Sequence, residues 1–168
     1  SHDPDQDPHG VAVLTERALD FIDRHRERPF FLYLPHNSIH APIMEQAARI
    51  AKHRARPGSD RPENSPVIAA MMETLDDCVG RVMAKLDDAG LAGRTILIFT
   101  SDNGPYWRPD YIERFHHQSA GEFRGMKGDA FEGGHRIPFL ARWPGTIQAA
   151  SQSSATISLT SLMATVAE

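Results

Sequence analysis

The sequence predicts an α/β fold, a mostly parallel sheet flanked by helices, on three observations. The run Thr95-Ile96-Leu97-Ile98-Phe99-Thr100 is apolar and rich in β-branched and aromatic residues. That is the pattern of a strand buried on both faces of a parallel sheet. A second run of this kind, Phe30-Phe31-Leu32-Tyr33-Leu34, lies between Pro29 and Pro35. A helical period precedes each run, so helix, strand and loop follow one another twice, as in sheets built from parallel strands.

The elements follow in order. Residues 1–10 are rich in Asp, His and Pro and read as a loop. Val11, Leu14, Ala18, Phe21 and Ile22 then mark one face of an amphipathic helix running to about Arg26. After the 30–34 strand, residues 43–50 have the spacing of a short helix, and residues 51–66 read as an exposed excursion rich in basic residues, Pro, Gly and Ser. Ser65-Pro66 is a helix start, an N-cap candidate followed by Pro at the first helical position. Ile68, Met71, Met72, Leu75, Val79, Val82, Met83 and Leu86 keep the helical period up to Gly90, a C-terminal cap. The 95–100 strand follows. Residues 105–137 lose all periodicity, and so long a loop inside a compact domain is usually functional. A strand is expected over 138–143, closed by Pro144-Gly145. Thr160 is the expected cap of a last helix.

The 168 residues suffice for one domain with a sizeable core, so the chain reads as a single domain spanning 1–168. A net charge of −4 gives no basic footprint for nucleic acid, and no apolar run is long enough to span a bilayer. No leader segment opens the chain, which reads as a piece of something longer. The single cysteine, Cys78, excludes an internal disulfide and a thiolate metal cluster. It leaves the compartment open.

Four polar clusters fall at or between the ends of the expected strands: His36 and His40; Asp102-Asn103; Arg124-Gly125-Met126-Lys127-Gly128; and Glu132-Gly133-Gly134-His135-Arg136. In an open α/β sheet the ligand crevice lies at the carboxyl ends of the strands. Each cluster also has a plain reading. Asp102-Asn103-Gly104 is an ordinary turn sequence, and Lys127 between glycines suits an exposed turn. Together they make one chemical picture. A carboxylate and an amide carbonyl are hard oxygen ligands, suited to calcium or magnesium. A lysine and one or two histidines would clamp a tetrahedral oxyanion and protonate its leaving oxygen. A divalent metal with those groups suits hydrolysis of a sulfate or phosphate ester. No nucleotide loop, serine-hydrolase elbow or zinc motif is present.

These blocks resemble the sulfatase family of the alkaline-phosphatase-like superfamily. The matching text is Phe30-Phe31-Leu32-Tyr33-Leu34-Pro35-His36 with His40-Ala41-Pro42, then Leu75-Asp76-Asp77-Cys78-Val79-Gly80 and Thr100-Ser101-Asp102-Asn103-Gly104. It continues through Arg124–Gly128 and Glu132-Gly133-Gly134-His135-Arg136-Ile137-Pro138 to Arg142-Trp143-Pro144-Gly145. The resemblance implies the alkaline-phosphatase-like sandwich and a sulfuric ester hydrolase. It implies that Asp102 and Asn103 are metal ligands, usually for Ca2+ with Mg2+ as the alternative, and that Lys127 holds the sulfate group. It gives His40 the sulfate or the leaving ester oxygen, which makes His40 and Lys127 the catalytic and substrate-binding pair. His135 becomes a candidate pocket residue, and Glu132 and Arg136 are mainly structural. Asp76 and Asp77 match a recurring helix pair, read here as a solvated face or a salt bridge. The implied substrate is a sulfated small molecule or carbohydrate, and the implied location is exported: periplasmic, extracellular or lysosomal. Oligomeric state is left open.

The departures are as informative. The family's nucleophile is a formylglycine made from Cys or Ser in a Cys/Ser-x-Pro-x-Arg sequence, and none occurs here. Cys78 precedes Val79-Gly80-Arg81 at mid-helix and reads as a packing residue. The aspartate pair expected near a family member's start is also missing, and Ser161 stands where relatives commonly have Asp. The chain therefore resembles the middle to later part of a catalytic domain, and alone is expected to be inactive. Two other readings share these residues: a phosphodiesterase or phosphonate hydrolase of the same superfamily, and a non-catalytic relative that keeps the fold as a binding surface.

Overall fold

The computed structural model describes residues 6–61, 63–106, 108–116 and 119–167. In chain order these form α1 (Val11–His25), α2 (Ala47–Arg54), α3 (Pro66–Asp88), β1 (Leu97–Thr100), α4 (Pro109–Phe115), α5 (Glu132–His135), β2 (Phe139–Arg142) and α6 (Leu162–Ala167), with short 3-10 turns at Ala92–Arg94 and Leu159–Ser161.

The core forms where α1 and α3 cross. Ile22 from α1 meets Val82 and Leu86 from α3 and Leu91 beyond it, and Phe30, Leu32, Leu34 and Leu97 pack around them. Of the faces the periodicity marks, Val11, Ala18 and Ile22 are buried on α1 and Met71, Val82 and Leu86 on α3, where Met72 of the marked set is 48% exposed and Cys78 is buried instead. Cys78 is thus a core residue at 4% exposure, remote in role from any nucleophile.

Local signals set the helix ends. Asp7 reaches ahead to accept the N–H groups of Ala12 (3.1 Å) and Val13 (3.0 Å), two donors that the first turn of α1 leaves orphaned. Ser65 accepts the Ile68 N–H at 3.4 Å, with Pro66 at the first helical position. Gly90 adopts φ 67°, and the Leu91 N–H returns to the Leu86 carbonyl at 2.8 Å. Ser65→Ala is expected to cost about 0.5–1 kcal/mol, the low end for a cap because the bond is long. A urea midpoint equal to wild type would count against the cap.

Five expectations need correction. The 43–50 helix lies instead at 47–54, because contacts with α3 select its register. Arg49 reaches Asp77 at 2.6 Å, Lys52 pairs with Glu73, and the buried His53 places Nε2 3.1 Å from Glu73. The Lys52 hydrogen bond chiefly, and His53 with it, hold the Glu73 carboxyl below its usual pKa against the opposing effect of burial. The 30–34 run is extended but buried on one face alone. Phe30, Leu32 and Leu34 turn inward, Phe31 and Tyr33 are 61% and 75% exposed, and no ladder pairs the run among the described residues.

The 95–100 strand is half-buried rather than fully buried, and its ladder begins at Leu97. It pairs with β2 antiparallel, Leu97 opposite Arg142 and Thr100 opposite Phe139. A parallel pair needs a crossover that carries the chain back along the sheet. Here the chain after β1 returns through the short helices α4 and α5, inside the stretch expected to be loop, and enters β2 in reverse. Antiparallel strands of this kind occur in otherwise parallel α/β sheets. Finally, Ser158 rather than Thr160 caps the last turn, accepting the Thr160 N–H at 3.3 Å.

Arg142 and Trp143 fasten β2 to the end of α3. The Arg142 guanidinium lies 2.8 Å from Asp87, and the Trp143 indole N–H donates to the Gly93 carbonyl at 3.0 Å. These contacts lie at the amino end of β1, where Leu97 faces Arg142, while at its carboxyl end the Thr100 hydroxyl donates to the Pro138 carbonyl at 2.8 Å.

Candidate functional site

Directly past β1, Ser101-Asp102-Asn103-Gly104 makes a compact turn. The Ser101 hydroxyl donates to the Asn103 carbonyl at 3.1 Å, and the Asn103 amide nitrogen donates to the Gly104 carbonyl at 2.8 Å. That second bond commits the NH2 group, leaving Asn103 Oδ1 as the free acceptor of the amide. The Asp102 carboxylate is exposed beside it. Two hard oxygens therefore project from one strand end.

Backbone bonds tie this turn to the glycine-rich segments. The Gly104 N–H donates to the Gly134 carbonyl at 2.8 Å, and the Lys127 N–H donates to the Pro105 carbonyl at 2.7 Å. The approach is too close for side chains. A Cβ on Gly104 would lie 2.1 Å from the Gly133 carbonyl oxygen, and one on Gly133 would lie 2.1 Å from that of Gly125. Glycine is required at both by the neighbouring backbone.

Lys127 occupies a turn between Gly125 (φ 86°) and Gly128 (φ 94°). Asp129 closes that turn: its carboxylate accepts the Met126 N–H at 3.0 Å, and its own N–H donates to the Met126 carbonyl at 2.9 Å. Sequence reasoning missed Asp129. Its signal was an aspartate directly after the Lys-Gly pair, where Asx side chains hold turns. The Gly133 N–H then donates to the Arg124 carbonyl at 2.8 Å, joining the third cluster to the fourth.

His135 is exposed on the single turn of α5, its Nε2 3.3 Å from Glu132. Glu132 also faces Arg136 at 3.5 Å, while the Arg136 guanidinium covers the Phe123 ring at 4.6 Å. These contacts are those of a scaffold. Asp102, Asn103, Lys127 and His135 thus belong to one backbone-bonded unit.

His40 stands on a separate loop, with no hydrogen bond or ion pair to that unit among the described residues. Its Nδ1 lies 2.9 Å from the Ala41 carbonyl. A carbonyl only accepts, so in that contact Nδ1 carries the proton, and Nε2 makes no hydrogen bond among the described residues. His36, four residues earlier, differs. Burial lowers its pKa below the usual histidine value, against the nearby Asp7 carboxylate, so its ring is neutral at pH 7. Of the two histidines, His40 is the exposed one.

The donor chemistry at Asp102 and Asn103 fits a hard divalent cation. Calcium takes about six to eight oxygens, so this pair supplies part of a shell. Among the described residues no group of three His, Cys, Asp or Glu side chains completes one.

Comparisons with known proteins agree on a family. The sulfatase family model matches residues 4–168. An N-acetylgalactosamine-6-O-sulfatase of Bacteroides thetaiotaomicron is 37% identical over 147 residues, 84% of this chain and 27% of that protein. Arylsulfatase A of Bos taurus is 37% identical over 135 residues, 80% of this chain and 24% of that protein. The chain thus spans about a quarter of the length of the curated relatives it matches. Among solved structures, Ps i-CgsB in complex with k-i-k-neocarrahexaose matches with a TM-score of 0.67 at 28% identity, over 83% of this chain and 29% of that one. The shared fold is the α/β, alkaline-phosphatase-like fold. With its blocks in order and the match extending over nearly its whole length, the chain belongs to the sulfatase family.

Proposed function

We propose that the whole protein hydrolyses sulfate esters and that this chain is the middle to later part of its catalytic domain. The observation that carries this is the joining of Asp102-Asn103 to Lys127 through the Gly104–Gly134 and Pro105–Lys127 backbone bonds. Those bonds bring the main chain of Lys127 to the Asp102-Asn103 turn, which supports a reading in which a cation-binding pair and an oxyanion-binding ammonium serve one strand end, where developing charge on a sulfuryl group needs them.

Asp102 and Asn103 would hold the divalent cation, most simply Ca2+, which when bound neutralises charge on the sulfuryl oxygens. Lys127 donates to those same oxygens. His40, with Nδ1 on the Ala41 carbonyl, would give the departing ester oxygen a proton from Nε2 when the ring is an imidazolium, and would be left as the neutral Nδ1–H imidazole. His135, tethered by Glu132, would be a further substrate-side residue. Attack on sulfur needs a nucleophile from outside this chain, a formylglycine by family membership, because the sequence holds no Cys/Ser-x-Pro-x-Arg motif.

Two similar proteins support sulfated carbohydrates as the substrate class: one is named an N-acetylgalactosamine-6-O-sulfatase, and the other is a solved structure in complex with k-i-k-neocarrahexaose. Export is the expected location by family resemblance. No described helix is long and apolar enough to cross a membrane.

The whole protein is expected to turn over an aryl sulfate and to lose that turnover on chelation, with calcium restoring it. Asp102→Ala should shift the restoring calcium concentration upward by about tenfold or more, since a charged first ligand is removed. Residues 1–168 alone should show no turnover. Metal-dependent turnover by the isolated chain, or an Asp102→Ala protein with the wild-type calcium response, would refute the assignment.

A further inference from the structure

We infer that Tyr106 is the wall against which the ring of the substrate's alcohol half packs, making it a specificity-determining residue. The inference rests on the sulfate-ester reading above.

The described aromatic residues around the 105–123 loop divide into two kinds. Tyr111 and Phe115 pack edge to face at 5.4 Å, and the Arg108 and Arg114 guanidinium groups cover their rings at 5.7 Å and 5.0 Å. Phe123 lies beneath Arg136 at 4.6 Å, and Phe131 beneath Arg124 at 3.8 Å. These four rings hold the loop together. Tyr106 makes no such ring contact among the described residues and is 60% exposed.

An exposed aromatic alone needs no explanation. Position distinguishes this one. The Pro105 carbonyl that accepts the Lys127 N–H at 2.7 Å is bonded directly to the Tyr106 nitrogen. One hydrogen bond therefore holds the main chain of Tyr106 next to the main chain of the proposed sulfate-holding lysine. In a sulfate ester the organic half joins the sulfuryl group through one oxygen, so it must lie beside whatever clamps the head. A flat apolar face with a terminal hydroxyl suits a six-membered ring there, sugar or aryl, and ligand sites combine such apolar walls with a few polar groups.

The test uses the whole protein and its Tyr106→Ala and Tyr106→Phe forms, with 4-nitrophenyl sulfate and galactose 6-sulfate as ring-bearing substrates. Inorganic sulfate and methyl sulfate serve as ringless inhibitors. Loss of an aromatic contact predicts a KM raised about 2- to 10-fold in Tyr106→Ala for the ring esters, with the loss in KM rather than kcat. Tyr106→Phe should keep most of the wild-type affinity, and inhibition by the ringless anions should not move. The larger rise, for galactose 6-sulfate or for the aryl ester, identifies the ring. An unchanged KM for both esters overturns the wall while leaving the sulfate-ester reading intact. Weakened inhibition by inorganic sulfate also overturns it, since the damage would then lie in the anion clamp. A wild-type protein that neither cleaves these esters nor binds sulfate overturns both readings.

Discussion

Lys127→Ala is expected to lower kcat for an aryl sulfate in the whole protein by about 10²- to 10³-fold, the usual cost of removing one donor aimed at developing charge. The fold should survive. Lys127 is held by its main chain: its N–H is fixed by Pro105, and its turn is closed by Asp129 rather than by the ammonium. Denaturation midpoint and circular dichroism should therefore match wild type while turnover falls. Lys127→Arg should recover only part of the rate, because a planar fork on a longer stem does not place one donor where a compact ammonium sits. A Lys127→Ala protein with wild-type kcat would remove the residue from the mechanism.

Gly133→Ala should fail differently. Its added methyl group would lie 2.1 Å from the Gly125 carbonyl oxygen and 2.7 Å from that of Arg124. Both are backbone atoms, so relief requires the Lys127 turn itself to move. Overpacking of this kind costs about 1–3 kcal/mol. Because the displaced atoms flank Lys127, activity and stability should fall together, seen as a lowered urea midpoint alongside reduced kcat. A midpoint within error of wild type would show that the two segments are less tightly joined than these distances imply. The two variants therefore separate a chemical role from a structural one.

What the sequence made legible was local. Ser65-Pro66 and Gly90 bound α3 because caps depend on a few adjacent residues, and the apolar period between them marks the face that meets α1. The strand end bearing Asp102-Asn103 was visible for the same reason. What depends on partners far along the chain was hidden. The alternation of Phe30, Leu32 and Leu34 against Phe31 and Tyr33 is invisible when all five residues are apolar or aromatic, so a one-sided strand resembled a fully buried one. The antiparallel direction of β2 is set by how the intervening loop returns, which no residue of either strand records. The register of α2 follows from Glu73, some twenty positions away. For the site, residue types singled out these loops, but only the bonding shows that Lys127 and the Asp102-Asn103 turn share one frame, and only it reveals Asp129.

The bonds from Pro105 to Lys127 and from Arg124 to Gly133 also pin both ends of the segment between them. Each fastening uses main-chain atoms alone, so it does not depend on what residues 106–123 are. That segment is therefore expected to act as an interchangeable cartridge up to Phe123, whose ring lies under Arg136: the side chains before it should be exchangeable while the frame beneath stays in place. Loops positioned by a rigid scaffold are where proteins vary function most freely. A lineage, or an engineer, could therefore redirect the protein toward new alcohols by replacing this one stretch, without rebuilding the groups that grip the anion.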